Sequence, residues 1–296
     1  MSMPKVFLFT ECYTCGPIAK KCLESFIKYH PNTTINLFGT TKDFEEVGKY
    51  ENIHYITLPE DIEHYYTQGH LGTAFLWGKI IQEYALDYDY IVHIDSDVIF
   101  RKEALSLIYS RIEQGYDLVG PVRCYKHNLN RSDNLRSYAD VTQTYFFGFN
   151  RHKISSFTFE TLVKMIQGHY NPLNHPVLDF FDPVSFDILN NGGSIYILDE
   201  DLVGGISNER GRINKYEYLN QDMDFGEHLF HFAGIGTGMR VHRRGVEGTP
   251  SGYAEWSLAR FALYYKLFYN IEIPRIVIDE SKLNALKDIL NEASTN

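Results

Sequence analysis

Tyr90-Ile91-Val92-His93-Ile94-Asp95-Ser96-Asp97-Val98-Ile99-Phe100 runs an apolar strand into two carboxylates spaced two residues apart, then resumes the apolar pattern. The β-branched residues ahead of Asp95 read as a buried strand. Side chains two apart on extended chain share a face, which puts Asp95 and Asp97 on one side, about 6–7 Å apart along the backbone. Two anions held there want a cation, and carboxylate oxygens suit hard ions such as Mg²⁺ or Mn²⁺. A nucleotide diphosphate would complete the shell. The same spacing recurs at Asp87-Tyr88-Asp89, Asp199-Glu200-Asp201 and Asp222-Met223-Asp224, but only Asp95-Ser96-Asp97 follows five unbroken strand-like residues. The bland reading is a pair of turn aspartates at a strand end.

The chain around this stretch has 296 residues, 44% hydrophobic and 15% aromatic, enough to bury a large core as one domain with appendages. A formal net charge of −10 argues against nucleic acid and against an anionic membrane surface. No apolar run approaches the roughly 18–20 residues of a membrane span, and Met1-Ser2-Met3-Pro4-Lys5 leads directly into a strand, so a cytoplasmic protein without a transmembrane segment is expected. Four cysteines in a chain of this length are no disulfide framework and agree with a reducing compartment. Many of the 22 tyrosines belong in the core, although aromatic rings also line sugar and base sites.

Upstream of the acidic turn, Lys5–Phe9 reads as a strand. Ile18, Cys22 and Phe26, with Ala19, Leu23 and Ile27 offset, form a helical stripe from Pro17 to His30-Pro31. The loop Thr10-Glu11-Cys12-Tyr13-Thr14-Cys15-Gly16 between them holds a Cys-x-x-Cys. That is the place of a thioredoxin-like redox pair. It is equally the end of a first strand, where a nucleotide base docks, making Thr10, Cys12 and Tyr13 candidate contacts. Thr34–Phe38 and Ile53–Leu58 follow as strands, a β–α–β–β rhythm. Gly69-His70-Leu71-Gly72-Thr73 then opens a helical run to Tyr84 whose first turn offers N–H groups to an anion. Lys79 on it is either a phosphate or ribose contact or a solvated helix lysine.

Downstream, Lys102–Gln114 reads as helix and Asp117–Val122 as strand. Residues 123–140 read as a lid ordering over bound donor or as a disordered insertion. Thr144–Asn150 is an aromatic strand broken by Gly148, and a helix is expected from Phe157 to Gln167. Asp179, Asp182 and Asp187 form a second acidic cluster. Asp182-Pro183 suits a helix entry, with a role toward substrate as the alternative. Ser194–Leu198 is a further strand and 204–218 a loop. Leu229–Gly238 puts His231 on a short apolar strand ahead of Gly234, Gly236 and Gly238, a loop that lets backbone approach a phosphate. Arg240, Arg243 and Arg244 suit bidentate phosphate contacts. His231 is otherwise a hydrogen-bonded core histidine. Tyr253–Asn270 reads as an aromatic helix, and Leu283, Leu286, Ile289 and Leu290 mark a final amphipathic one.

In this order the features resemble the nucleotide-sugar glycosyltransferases of the GT-A fold, in particular the glycogenin-like group, family 8. That family carries an Asp-x-Asp after about the fourth strand, matched by Asp95-Ser96-Asp97. Its Asn-bearing strand is matched loosely by Phe147-Gly148-Phe149-Asn150, its acidic helix start by 182–190, and half of its His-x-x-Gly-x-x-Lys by His231-Phe232-Ala233-Gly234. Thr237 stands where the family has a phosphate-binding lysine, so Arg240 or a following arginine takes that part, and the tryptophan usual after the lysine is missing.

The resemblance implies a Rossmann-like α/β fold with a mixed, mostly parallel sheet flanked by helices. It places a catalytic domain over 1–245, with a nucleotide-binding half 1–122 and an acceptor half 123–245, and a C-terminal helical extension over 246–296. Asp95, Asp97 and His231 would hold Mn²⁺ or Mg²⁺ across the diphosphate of a nucleotide-sugar donor, by default a UDP-sugar, with Ser96 beside it. A histidine nitrogen next to two carboxylate oxygens suits Mn²⁺ somewhat better. Sugar transfer to a carbohydrate or other hydroxyl acceptor passes through an oxocarbenium-like state. An inverting course needs a carboxylate base and a retaining one a group that steadies the cation. Asp182, Asp187 and Asp179 are the candidates, in that order. Two rivals use the same residues: a haloacid-dehalogenase-like phosphotransferase with Asp95 as covalent nucleophile, and a sugar-nucleotide binding module without turnover.

Overall fold

The computed structural model describes residues 4–58, 70–121, 144–154, 184–185, 188–189, 191–198, 201–202, 223–232 and 261–294. Strands β1 (Val6–Cys12), β2 (Ile35–Gly39), β3 (Ile53–Thr57) and β4 (Tyr90–Ile94) alternate with helices α1 (Gly16–Tyr29), α2 (Thr41–Val47) and α3 (His70–Tyr84). After β5 (Val98–Phe100) come α4 (Leu105–Glu113), β6 (Leu118–Gly120), β7 (Phe146–Asn150) and β8 (Ile195–Ile197). The described chain then continues with β9 (Met223–Asp224), β10 (Leu229–His231), a π-helical turn Tyr265–Tyr269 and α5 (Glu280–Ser294). Seven strands form one mixed sheet in the order β3-β2-β1-β4-β7-β6-β8. The pairs β2–β3, β1–β4 and β6–β8 are parallel, whereas β7 runs antiparallel to both its neighbours. A second sheet has the order β5-β10-β9 and is antiparallel.

Within the described residues the expected strands and helices recur with three differences. The rhythm after β1 is β–α–β–α–β, because α2 intervenes between β2 and β3. It is set by a capping box: Thr40 Oγ1 accepts from Asp43 N–H, and the Asp43 side chain accepts from Thr40 N–H at 3.2 Å. The apolar run of 90–100 is two strands in two sheets, since 95–97 make a turn closed by Val98 N–H to Asp95 O at 3.2 Å. Gly148 leaves β7 unbroken. A Cβ there would stand 2.9 Å from Ile108 Cγ2 and 3.0 Å from Val92 Cγ2, so the glycine admits α4 against the sheet. Of the expected aromatic helix, 261–269 are described, ending at Asn270 in the left-handed region. The expected lid of 123–140 and the helix of 157–167 lie outside the described residues.

Contacts divide the chain into two compact units, one of Met1–Phe9, Leu58–Ile94 and Leu105–Gly211, the other of Thr10–Thr57, Asp95–Ala104 and Arg212–Asn296. In the first, β4 is buried along its whole length. Trp77 of α3 packs on Phe9, His93 and Phe147, with ring centroids 5.0, 4.3 and 5.8 Å away. Asp117 accepts from Asn150 Nδ2 at 2.8 Å and from Ser194 N–H at 3.0 Å, tying three strand ends together.

In the second unit, α1 starts with Pro17 in its first turn and buries Ile18, Ala19, Cys22, Leu23 and Phe26. Ile18, Leu23 and Phe26 each contribute about 1.5–3 kcal/mol of transfer free energy before entropy is counted. Ser25 Oγ donates to Cys22 O at 2.7 Å and accepts Phe100 N–H at 2.9 Å, fastening β5 to α1. His30 closes the helix as a neutral ring, Nδ1–H toward Phe26 O (3.0 Å) and Nε2 accepting Ala104 N–H (3.1 Å). Burial lowers its pKa, which preserves that neutral form. Against the same helix packs α5, through its buried Leu283, Leu286, Ile289 and Leu290.

Candidate metal centre

All three candidate ligands fall within the second unit. Asp95 and Asp97 occupy the turn that opens β5, and the register of the small sheet does the rest. His231 pairs with Val98, Phe230 with Ile99 and Leu229 with Phe100. Phe232 N–H extends the ladder to Asp97 O at 3.0 Å. Because paired residues stand side by side, His231 is delivered next to Asp97 by backbone hydrogen bonds.

His231 Nε2 lies 3.2 Å from Asp97 Oδ1 and 3.5 Å from Asp95 Oδ2. The ligand-type atoms of the three residues all fall within 4.8 Å of one another. Adjacent ligands on an octahedral ion with bonds of about 2.1 Å are about 3 Å apart, so these separations fit a small divalent cation. His231 and Asp97 are buried, and the Asp95 side chain keeps 32% of its exposure, which leaves one side open to a ligand or solvent. Burial is the largest single influence on the imidazole and lowers its pKa. Asp97 and then Asp95 outweigh it and raise His231 to about 9. A proton on the ring thus offsets one of the two carboxylate charges in the absence of a cation, and binding an ion at Nε2 displaces it.

Support comes from α1 and from the loop ahead of it. Cys22 Sγ donates to Asp95 O at 3.5 Å, and burial pushes this thiol up. Thr14, in that loop, has a φ of 58°, the left-handed region that β-branched residues avoid. Its N–H is held by Asp43 Oδ1 at 2.7 Å, the carboxylate that also caps α2. A Cβ on Gly39 would stand 2.9 Å from Cys12 O, so this glycine lets β2 end close against the loop. Cys22 and Asp43 were not among the residues expected at the site. The signal for Asp43 is the spacing Thr40-x-x-Asp43, a capping box with a short acid.

Asp95, Asp97 and His231 therefore meet, with half-buried Ser96 in the same turn. Thr10 and Cys12 are fully buried and Tyr13 nearly so. Lys79 belongs to the first unit, with Nζ 3.9 Å from Glu83 on the same helix. Asn150, the loose motif match, donates to Asp117 and accepts His152 N–H at 2.9 Å. Asp179, Asp182, Asp187, Gly234, Gly236, Thr237, Arg240, Arg243 and Arg244 lie outside the described residues.

No protein-family model and no curated protein sequence matches this chain. Among solved structures it is similar to the bifunctional glycosyltransferase WbbM (apo), at 14% identity and a TM-score of 0.42, over 68% of this chain and 40% of that one. The galactosyltransferase LgtC with donor and acceptor sugar analogues is similar at 11% identity and a TM-score of 0.46, over 83% of this chain and 98% of that one. Mouse xyloside xylosyltransferase 1 (apo) follows at 11% identity and 0.44, over 66% and 85%.

Proposed function

We propose that this protein is a metal-dependent glycosyltransferase of the GT-A type, moving a sugar from a nucleotide-sugar donor, by preference a UDP-sugar, to a hydroxyl acceptor. The observation that carries the reading is the meeting of Asp95, Asp97 and His231 at ligand spacing in a turn that follows a fully buried strand. The sheet order reverses between β1 and β4, and in open α/β sheets ligands bind beyond the carboxyl ends of strands at such a point. Asp95-Ser96-Asp97 and the loop after β1 follow those two ends in the chain. Bound at the three residues, Mn²⁺ or Mg²⁺ supplies neutralisation of the negative charge that develops on a departing nucleoside diphosphate.

The chain's own residues have defined tasks in this reading. Asp95 and Asp97 present oxygens on one side, and His231 presents a deprotonated Nε2, oriented by the β10 ladder. Gly234, Gly236 and Arg240 approach the phosphates, Arg240 replacing the lysine that Thr237 lacks. Asp182, with Asp187 and Asp179 behind it, takes the acceptor proton or steadies the positive anomeric centre. The catalytic domain spans 1–245 and the helical extension 246–296. The acidic turn follows the fourth strand of the chain and not the first, which speaks against Asp95 as the covalent nucleophile of the phosphotransferase reading.

A screen of UDP-, GDP- and CMP-sugars for Mn²⁺-dependent hydrolysis tests the proposal. Hydrolysis of one donor class, abolished by a chelator and by Asp97→Ala, is the expected result. Hydrolysis of simple phosphate esters with a trapped phospho-Asp95, or donor binding without any turnover, would overturn it.

A further inference from the structure

Cys12 ends β1 and Cys15 caps α1, and their Sγ atoms are 3.7 Å apart, both side chains buried. From Cys15 the contacts run on to the acidic turn, with Sγ 3.6 Å from Ser96 Oγ. Between the cysteines stands Thr14, in its left-handed conformation and tied to Asp43. The two thiols, the bent loop and the turn that carries Asp95 and Asp97 thus form one contiguous cluster. We propose that Cys12 and Cys15 are a reversible disulfide site, and that closing the bond draws Cys15 off Ser96 and loosens the turn of Asp95–Asp97. Weaker cation binding by the oxidised protein follows where the metal reading above holds; the bond itself does not depend on that reading.

A disulfide requires the sulfurs to close to about 2.05 Å, a short travel for two side chains joined by a two-residue loop. Cys15 is the thiol that reacts first. It keeps 4% exposure where Cys12 has none, and it sits at the N-terminus of a helix of 14 residues, where negative charge is favoured. Its hydrogen bond with Cys15 and burial raise the Cys12 pKa, so Cys12 is not the sulfur that reacts first. A hydroperoxide is the oxidant. Cys15 gives up its S–H proton and takes one peroxide oxygen, forming S–OH and releasing water. Cys12 sulfur then attacks Cys15 sulfur, the S–O bond breaks and a second water leaves with the Cys12 proton. Two thiols and one hydrogen peroxide become one disulfide and two waters, and a small dithiol reverses the change. Cys22 is occupied with Asp95 O and takes no part.

The test uses the full chain, reduced or treated with hydrogen peroxide, then alkylated. The expected result is a mass lower by two hydrogens, two fewer alkylated cysteines, a mapped Cys12–Cys15 bond, and reversal by dithiothreitol. Cys15→Ser abolishes the bond and Cys22→Ser leaves it. Amide hydrogen exchange over Asp95–Val98 rises in the oxidised form, and Mn²⁺ binding by titration weakens about tenfold, as for loss of an outer-sphere support. A sulfinic acid or mixed disulfide in place of the intrachain bond, pairing through Cys22 or Cys124, or a Cys12–Cys15 bond with unchanged exchange at 95–98 would overturn the proposal. Reduced protein that takes up no Mn²⁺ would strike the metal reading, while the mass and exchange measurements still decide the disulfide.

Discussion

Two buried histidines respond to pH with opposite sign. His231 is raised to about 9 by the carboxylates facing it, so without a cation its stabilisation is complete below the unfolded value of about 6.5 and is lost as pH rises through about 9. His30 is lowered by burial, so its contribution is lost as pH falls below about 6.5. Denaturant unfolding of cation-free protein between pH 6.5 and 9 should therefore show a decline approaching 1.4 kcal/mol per pH unit, roughly one proton's worth. His231→Gln should remove it. In the same window Mn²⁺ binding should release one proton, and affinity should climb about tenfold per pH unit until pH 9. Calorimetry in buffers of different ionisation enthalpy reads that proton directly. Equal heats across buffers would mean that His231 is no ligand.

At the level of elements, α2 and the loop after β1 are joined through one side chain. Asp43 completes the capping box of the helix, accepts Thr40 Oγ1–H at 2.6 Å and holds Thr14 N–H. Asp43→Ala leaves the part-buried N–H groups of Thr40 and Thr14 unmet, at about 1–1.5 kcal/mol each, so a loss of roughly 2–3 kcal/mol is expected in denaturant unfolding. Adding Thr14→Gly should recover part of it, because glycine adopts a positive φ without strain. A double variant no more stable than Asp43→Ala would show that the loop is not under strain. These elements also mark where the sequence stops being readable. Ile18, Cys22 and Phe26 announce α1 by their spacing, and Tyr90–Ile94 announces β4 by its density of β-branched residues. Seven-residue α2 has no apolar stripe, and its cap uses a short acid where Glu or Gln is the recognisable pattern. Gly148 reads as a strand breaker because nothing local to it reveals Ile108. That Val98–Phe100 leaves the large sheet is set by a turn hydrogen bond and by β10, a partner far along the chain.

Over the whole molecule, pattern alone made the candidate centre legible as residue types, and the resemblance brought Asp95, Asp97 and His231 together as ligands. Asp95-Ser96-Asp97 stands out in the sequence by its context. His231 does not, since one histidine on a short apolar strand looks like any core histidine until the pairing of Val98 with His231 fixes its address. Among the described residues no helix is long and apolar enough to cross a membrane. Mn²⁺ at a hundred times its dissociation constant should raise the unfolding free energy by about 2.7 kcal/mol in wild type, and by nothing in Asp97→Ala. A thermal or denaturant titration checks it.

The ladder of β5 and β10 joins residues more than a hundred positions apart in the chain, and this has a bearing on the order of assembly. Closing so large a loop is slow beside the neighbouring contacts of α1 and α2, and its entropy must be met before the contacts return anything. The three candidate ligands straddle that closure, two on one side and one on the other. A cation there would act as a clasp on a long-range contact, so that removing it loosens β10 while the neighbouring contacts of α1 and α2 stay.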